Sequence, residues 1–177
     1  VRGDSDETLV LAPRVAAQGR FNEDRTSVNA AYYADIWTSA SIDIRTAATM
    51  PVTEQRDQVD LSATHEFDDV TLGGSYYYSG ETDYWSHGVT LRSTQELDNN
   101  STTFEESFRY THDIVGRSGD PLFQRPLDSF TLRTVLTQIL SPEALVQAAW
   151  ESTYRVGYQA NPYRYVGLGG DGICGVN

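Results

Sequence analysis

The sequence predicts an all-β protein, an antiparallel up-and-down transmembrane β-barrel with about eight strands visible, and three observations carry that expectation. Segments of about ten residues alternate apolar and polar side chains, as a strand with one lipid face and one water face must. Short polar turns alternate along the chain with long polar links. No stretch approaches the roughly twenty apolar residues that a membrane-spanning helix requires.

The first strand is read over Leu9 to Phe21, and the polar turn Asn22 to Thr26 returns it to a second over Val28 to Arg45. After a polar link, Thr46 to Gln55, the alternation is strict: Val59, Leu61, Ala63, His65 and Phe67 fall in one phase, Gln58, Asp60, Ser62, Thr64 and Glu66 in the other. Side chains two apart share a strand face, so this run has an apolar and a polar side. Asp68-Asp69 is too short for anything but a hairpin to the next run, Val70, Leu72, Gly74, Tyr76 and Tyr78. A link from Gly80 to Gly88 leads to Val89–Leu97, a turn at Asp98-Asn99-Asn100, and Thr102–Thr111. The link Asp113 to Ser129 precedes Phe130–Leu140, the turn Ser141-Pro142-Glu143, and a last strand from Leu145 to Gly157. Ser141 to Trp150 is the one stretch where a helix competes, with a capping Ser and a well-placed Pro. Continuation of the alternation through Glu151, Thr153 and Arg155 favours the strand.

In membrane barrels the short turns face the periplasm and the longer loops face outward. On that rule Phe21 and Leu140 lie near the inner rim and Glu81, Asp83 and Arg117 lie outside. The first strand would then start outside, and the tail ends in a glycine-rich segment, Gly167 to Asn177, where a barrel would close on a strand. The expectation is a single domain over residues 1–177, with no linker or second domain, that is a fragment of a larger barrel. Cys174, the only cysteine, points the same way, because an oxidising compartment disfavours a lone thiol. Its partner would lie on another part of the protein, and a signal peptide, absent before Val1, would have been removed or never included.

Composition agrees. Eleven tyrosines and three tryptophans suit the aromatic girdles of a barrel wall, with Tyr32, Tyr76, Tyr78, Tyr110, Trp150 and Tyr154 as the girdle or outward candidates. A net charge of −12 repels a phosphate backbone, so nucleic acid is excluded as a partner. The expected partners are outer-membrane lipid and other envelope proteins, and the expected location is the bacterial outer membrane.

Function would reside on the polar face. Arg14, Arg20, Asp35, Asp43, Arg45, Asp60, Glu66, Arg92, Glu96, Glu105, Arg109, Arg133, Glu151 and Arg155 share the lumen-facing phase. Interspersed signs suit a salt-bridge network filling a narrow lumen at least as well as an aqueous pore. Glu106 falls in phase with Phe104, Phe108 and Tyr110, so either a bulge shifts the register or it sits near a rim.

No nucleophile, base and orienting acid gather, so no catalytic residue and no enzyme activity are expected. His65, His87 and His112 lack metal-ligand spacing. Gly167 to Gly172 matches a dinucleotide fingerprint in letters but lacks the βαβ context. Arg2-Gly3-Asp4 and the glycosylation-like Asn99-Asn100-Ser101-Thr102 carry as little weight. Hard oxygen ligands at Asp35, Asp43, Glu81 and Asp83 form a candidate calcium set, the one cofactor the sequence suggests. A hydrogen-bonded wall and a solvated loop are the simpler account of them, because Asp and Ser abound on polar faces and turns.

A family resemblance rests on Tyr33 to Asp43, Glu54-Gln55-Arg56, Tyr78 to Tyr84 with Ser86-His87-Gly88, Leu140-Ser141-Pro142, and Gly157 to Arg164. In these stretches the chain resembles, over nearly its whole length, a domain-of-unknown-function family of predicted outer-membrane β-barrels from Gram-negative bacteria. The resemblance implies a barrel longer than this chain and brings no activity or catalytic residues. The expected role is structural, partner-binding or channel-forming and porin-like. The alternative is a soluble, acidic β-sandwich of lectin or adhesin type, calcium-dependent or not, whose strands would also alternate.

Overall fold

The computed structural model describes residues 2–3, 9–39, 52–97 and 101–163. They form one antiparallel sheet: β1 (Arg2–Gly3), β2 (Leu9–Leu11), β3 (Arg14–Phe21), β4 (Thr26–Ser39), β5 (Val52–Glu66), β6 (Val70–Gly80), β7 (Tyr84–Leu97), β8 (Thr102–Arg117), β9 (Asp120–Ser141) and β10 (Ala144–Gly157). Their order in space follows the chain, β1-β2-β4-β5-β6-β7-β8-β9-β10, with β3 also beside β4.

β2 and β3 are one strand interrupted at Pro13, since both pair with β4, Leu11 opposite Ile36 and Arg14 opposite Tyr33. Proline has no N–H to donate, yet its carbonyl still accepts from the Ala34 amide at 3.1 Å, which holds the two halves in line. The helix considered at Ser141–Trp150 is strand β10 beyond a Pro142-Glu143 turn. Among the described residues β10 pairs only β9 and the opposite edge, β1 with β3, does not reach it, so the expected barrel is not closed by these strands.

Two of the three expected long loops are strand. Within Gly80–Gly88 only Glu81 to Asp83 are not strand, and within Asp113–Ser129 only Ser118-Gly119, with Pro121 to Phe123 bulging out of the ladder opposite Gly116-Arg117. The third, Thr46–Gln55, is strand from Val52; Asp43, Arg45, Asp98 to Asn100, Gly167 to Gly172 and Cys174 lie outside the described residues. Polarity misled here because a hairpin satisfies its backbone by cross-strand bonds whatever its side chains are. The asymmetry expected of loop length is instead one of strand length. β9 has 22 residues, about twice what a tilted membrane strand needs, and its surplus lies toward Gly119. Gly119 (φ 82) supplies the left-handed turn there. At the opposite end Asn22, Glu23 and Asp24 all have positive φ, which Asn and Asp tolerate and Glu does not favour.

Register separates two faces. One row across the sheet is Ala17, Ala30, Leu61, Tyr76, Val89, Tyr110, Phe130 and Tyr154; the next is Gly19, Val28, Ala63, Gly74, Leu91, Phe108, Leu132 and Ser152. Nothing among the described residues covers this apolar face: Leu91 is 60%, Trp150 57% and Tyr154 67% exposed. Buried apolar residues are limited to Ala34, Val115, Phe123 and Val135 among the described residues, and no large side chain is fully buried. A single sheet has no second layer to pack against.

Candidate functional site

The expected polar-face residues that the structure describes share one side of the sheet. Arg20, Arg92, Arg133 and Glu151 belong to one register row, Arg109 to the adjacent one, and Asp60 and Arg155 to the next, with Arg14 beyond. Glu66 and Glu105 lie in a row toward the opposite end, and Glu96 beyond them. Among the described residues the acids of the expected network meet an arginine at one spot only. Arg56 Nη2 contacts Asp35 Oδ2 at 2.5 Å, and its Nη1 lies 3.9 Å from Glu81 Oε1. Among the described residues Arg20, Arg92, Arg109, Arg133 and Arg155 form no ion pair.

This geometry bears on the calcium set. Asp35 and Glu81 both face the Arg56 guanidinium, which supplies the positive charge a cation would have supplied. Asp43 lies outside the described residues, and among those described no three His, Cys, Asp or Glu side chains gather as a metal site. Glu81 has its pKa raised, first by burial and then by Asp83, Glu54 and Asp35, against the opposing pull of Arg56.

A cavity of about 460 Å³ opens on the polar face. Its lining comprises Tyr77, Tyr84, Ser86, Arg109, Thr111, Asp113, Leu127, Ser129, Thr131, Thr153 and Arg155. At one end the buried Asp113 accepts the Ser86 hydroxyl at 2.5 Å, and the Tyr84 hydroxyl bonds to it as well. Burial, followed by that bond, pushes the Tyr84 phenol above its usual range. At the other end the Arg109 guanidinium lies over the Tyr77 ring, 5.7 Å from its centroid, and the Thr131 and Thr153 hydroxyls bond at 3.0 Å.

A strap follows β10. After Gly157 (φ 115) the chain crosses the ends of β9 and β8 toward the β6–β7 hairpin. The Tyr158 amide donates to Pro126 O (2.9 Å), Arg117 Nε donates to Pro162 O (3.1 Å), and the Tyr163 hydroxyl accepts from the Ser118 amide (2.7 Å) and donates to Asp83. Beneath it Phe123 is buried between the Tyr158 ring and the guanidinium groups of Arg117 and Arg125. A second cavity, about 530 Å³, lies between strap and sheet.

Sequence reasoning missed Arg56, Tyr77, Tyr84, Asp113 and the strap. Arg56 is in phase with Glu54, Gln58 and Asp60, so extending the alternation upstream would have found it. Nothing local announces the Tyr163–Asp83 contact, because the partners are far apart in the chain.

The apolar face bears a polar fringe. The Tyr32 hydroxyl donates to Asp57 (2.5 Å), the Tyr110 hydroxyl donates to Asp128 (2.7 Å), and the Tyr76 hydroxyl bonds to His87 (2.7 Å). Each tyrosine reaches one register step toward the same end of the sheet. Tyr78 packs against His87, and His112 adds a 2.8 Å contact to Asp128. No bulge rescues Glu106: it lies in register between Ser93 and Thr134, on the apolar face.

A family of proteins of unknown function, DUF3570, has a model that matches residues 45–129, just under half of the chain. That span contains the Glu54–Arg56 and Tyr78–Gly88 stretches of the resemblance and leaves out Tyr33–Asp43, Leu140–Pro142 and Gly157–Arg164, so the similarity is narrower than the sequence suggested. The family's description says nothing of a membrane or a barrel. No curated protein and no solved structure matches the chain.

Proposed function

We propose that this sheet is part of the wall of an integral β-barrel in a bacterial outer membrane, with its polar face toward an aqueous interior and a channel or partner-binding role. The observation that carries the reading is the uncovered apolar face of a single-layer sheet. Soluble monomers rarely expose contiguous apolar patches beyond a few hundred Å². Here the apolar stretches Val59 to Phe67, Val70 to Tyr78, Val89 to Leu97 and Phe130 to Leu140 match the roughly nine to eleven residues of a tilted membrane strand. The tyrosine hydroxyls bonded to Asp57, His87 and Asp128 support a girdle, with rings against lipid and polar tips at its edge. A soluble sandwich needs a second sheet over this face, and none covers it among the described residues. In this reading no enzyme activity is assigned, and the remaining edges, β10 and β1 with β3, are closed by further strands.

The test is fractionation. The protein should sediment with outer membranes, resist carbonate and salt washes, and be released by detergent. Release in aqueous buffer would overturn the reading. Planar-bilayer recordings separate the roles, since a channel conducts and a sealed wall or partner-binding barrel does not.

A further inference from the structure

We propose that the polar face holds a binding site for a small oxyanion, a carboxylate or phosphate, gripped by the guanidinium forks of Arg109 and Arg155 in the 460 Å³ cavity. The inference deepens the reading of this face as a water-filled interior and specifies what it would take up.

The charge distribution is the first argument. The chain carries −12 overall, and acids would be expected to neutralise any arginine on a shared face. Yet the polar-face neighbours of Arg109 are Gly88, Thr90 and Arg92 on β7 and Ser129, Thr131 and Arg133 on β9. Those of Arg155 on β9 are Leu127, Ser129 and Thr131. None is a carboxylate. Cross-strand neighbours are the nearest places for a compensating acid, because opposite residues are about 5 Å apart at Cβ and diagonal ones 7–8 Å; Glu81 and Asp83, which line the 530 Å³ cavity together with Arg155, are not within ion-pair distance of it. Both arginines lack an ion pair among the described residues, whereas Arg56, on the same face, has two.

The second argument is the lining. The carboxylate in the cavity, Asp113, is turned to the Ser86 and Tyr84 hydroxyls and is not paired to a guanidinium. The two forks are thereby left for an incoming acceptor. Arg109 is steadied over the Tyr77 ring, which limits the entropy it loses on binding. Thr131 and Thr153 lie on the row of Arg109, Thr153 also beside Arg155; their mutual bond uses one hydroxyl proton and leaves the other to donate to a further oxygen of the ligand. Guanidinium forks match carboxylate and phosphate geometry in a bidentate manner, and rings of arginine are how pores favour anions.

The experiment is isothermal titration of the full chain, refolded in neutral detergent micelles at low ionic strength, with succinate and separately with inorganic phosphate. Saturable binding of one or both is expected, and the comparison assigns the oxyanion. Arg109→Gln and Arg155→Gln should each weaken it at least tenfold, and Arg20→Gln, on the same face but at the far edge, should leave it unchanged. Arg109→Lys keeps the charge and loses the fork, and should weaken binding several-fold; this holds the test open where a glutamine variant fails to refold by circular dichroism. No saturable binding of either anion, or equal loss in Arg20→Gln and Arg109→Gln, overturns the site. Because micelles are used, that failure is distinct from failure of the membrane reading, which fractionation decides.

Discussion

Placing arginine at Leu91 separates a lipid-facing sheet from a soluble one. Leu91 lies near the middle of the apolar face, between Gly74 of β6 and Phe108 of β8, and is 60% exposed. In a soluble protein a charge at such a position remains hydrated, and Leu91→Arg should change stability by no more than about 0.5 kcal/mol. Against lipid the same change costs about 2–4 kcal/mol at the midplane. At 1.4 kcal/mol per tenfold, the folding equilibrium constant falls about 30-fold to 700-fold. Thr94→Arg on the same strand is the control: Thr94 is on the polar face opposite Glu105, so the new charge gains a cross-strand partner and should be neutral or stabilising by up to about 1 kcal/mol. The assay is reversible guanidinium unfolding from phosphatidylcholine vesicles, followed by tryptophan emission. If Leu91→Arg falls within about 0.5 kcal/mol of the parent, the apolar face is not against lipid.

Glu106→Leu should stabilise the vesicle-folded protein by about 1 kcal/mol, because a carboxylate in register with Ser93 and Thr134 on the apolar face is penalised, though less than a cation; the same vesicle titration reads it. Gly157→Ala should detach the strap, since φ 115 disfavours any L side chain and the new Cβ would lie 2.2 Å from Pro126 O. Hydrogen exchange would show it as lost protection at the Tyr158 amide. For Glu81 the sign is set by its raised pKa: the folded protein binds this proton more tightly, so its contribution to stability is complete below the unfolded pKa and is lost as pH rises through the folded one. Glu81→Gln should flatten that part of the stability-versus-pH curve, and carboxyl NMR of Glu81 should give a midpoint above the ordinary 4.5.

Much of the sheet was legible because β-structure writes itself at a period of two. Val59 to Phe67 against Gln58 to Glu66 defines both faces of β5 without knowledge of a neighbour, and the tyrosines of the apolar face follow from the same phase. Glu106 shows the strength of that signal: its alternation placed it among Phe104 and Phe108, and the ladder keeps it there. Polarity was the weaker guide. Gly80–Gly88 and Asp113–Ser129 resemble loops in composition, yet most of their residues continue the ladders of β6, β7, β8 and β9.

By itself, then, the sequence determined the strands, their two-sidedness and the tight turns at Asp68-Asp69 and Pro142-Glu143, because these depend on neighbours one to three residues away. Only the tertiary structure decided how far each hairpin runs, that Arg56 pairs with Asp35 while Arg109 and Arg155 form no ion pair among the described residues, and that Tyr163 reaches Asp83. Those outcomes turn on which residues meet across strands. Register sets such encounters, and no local pattern contains them.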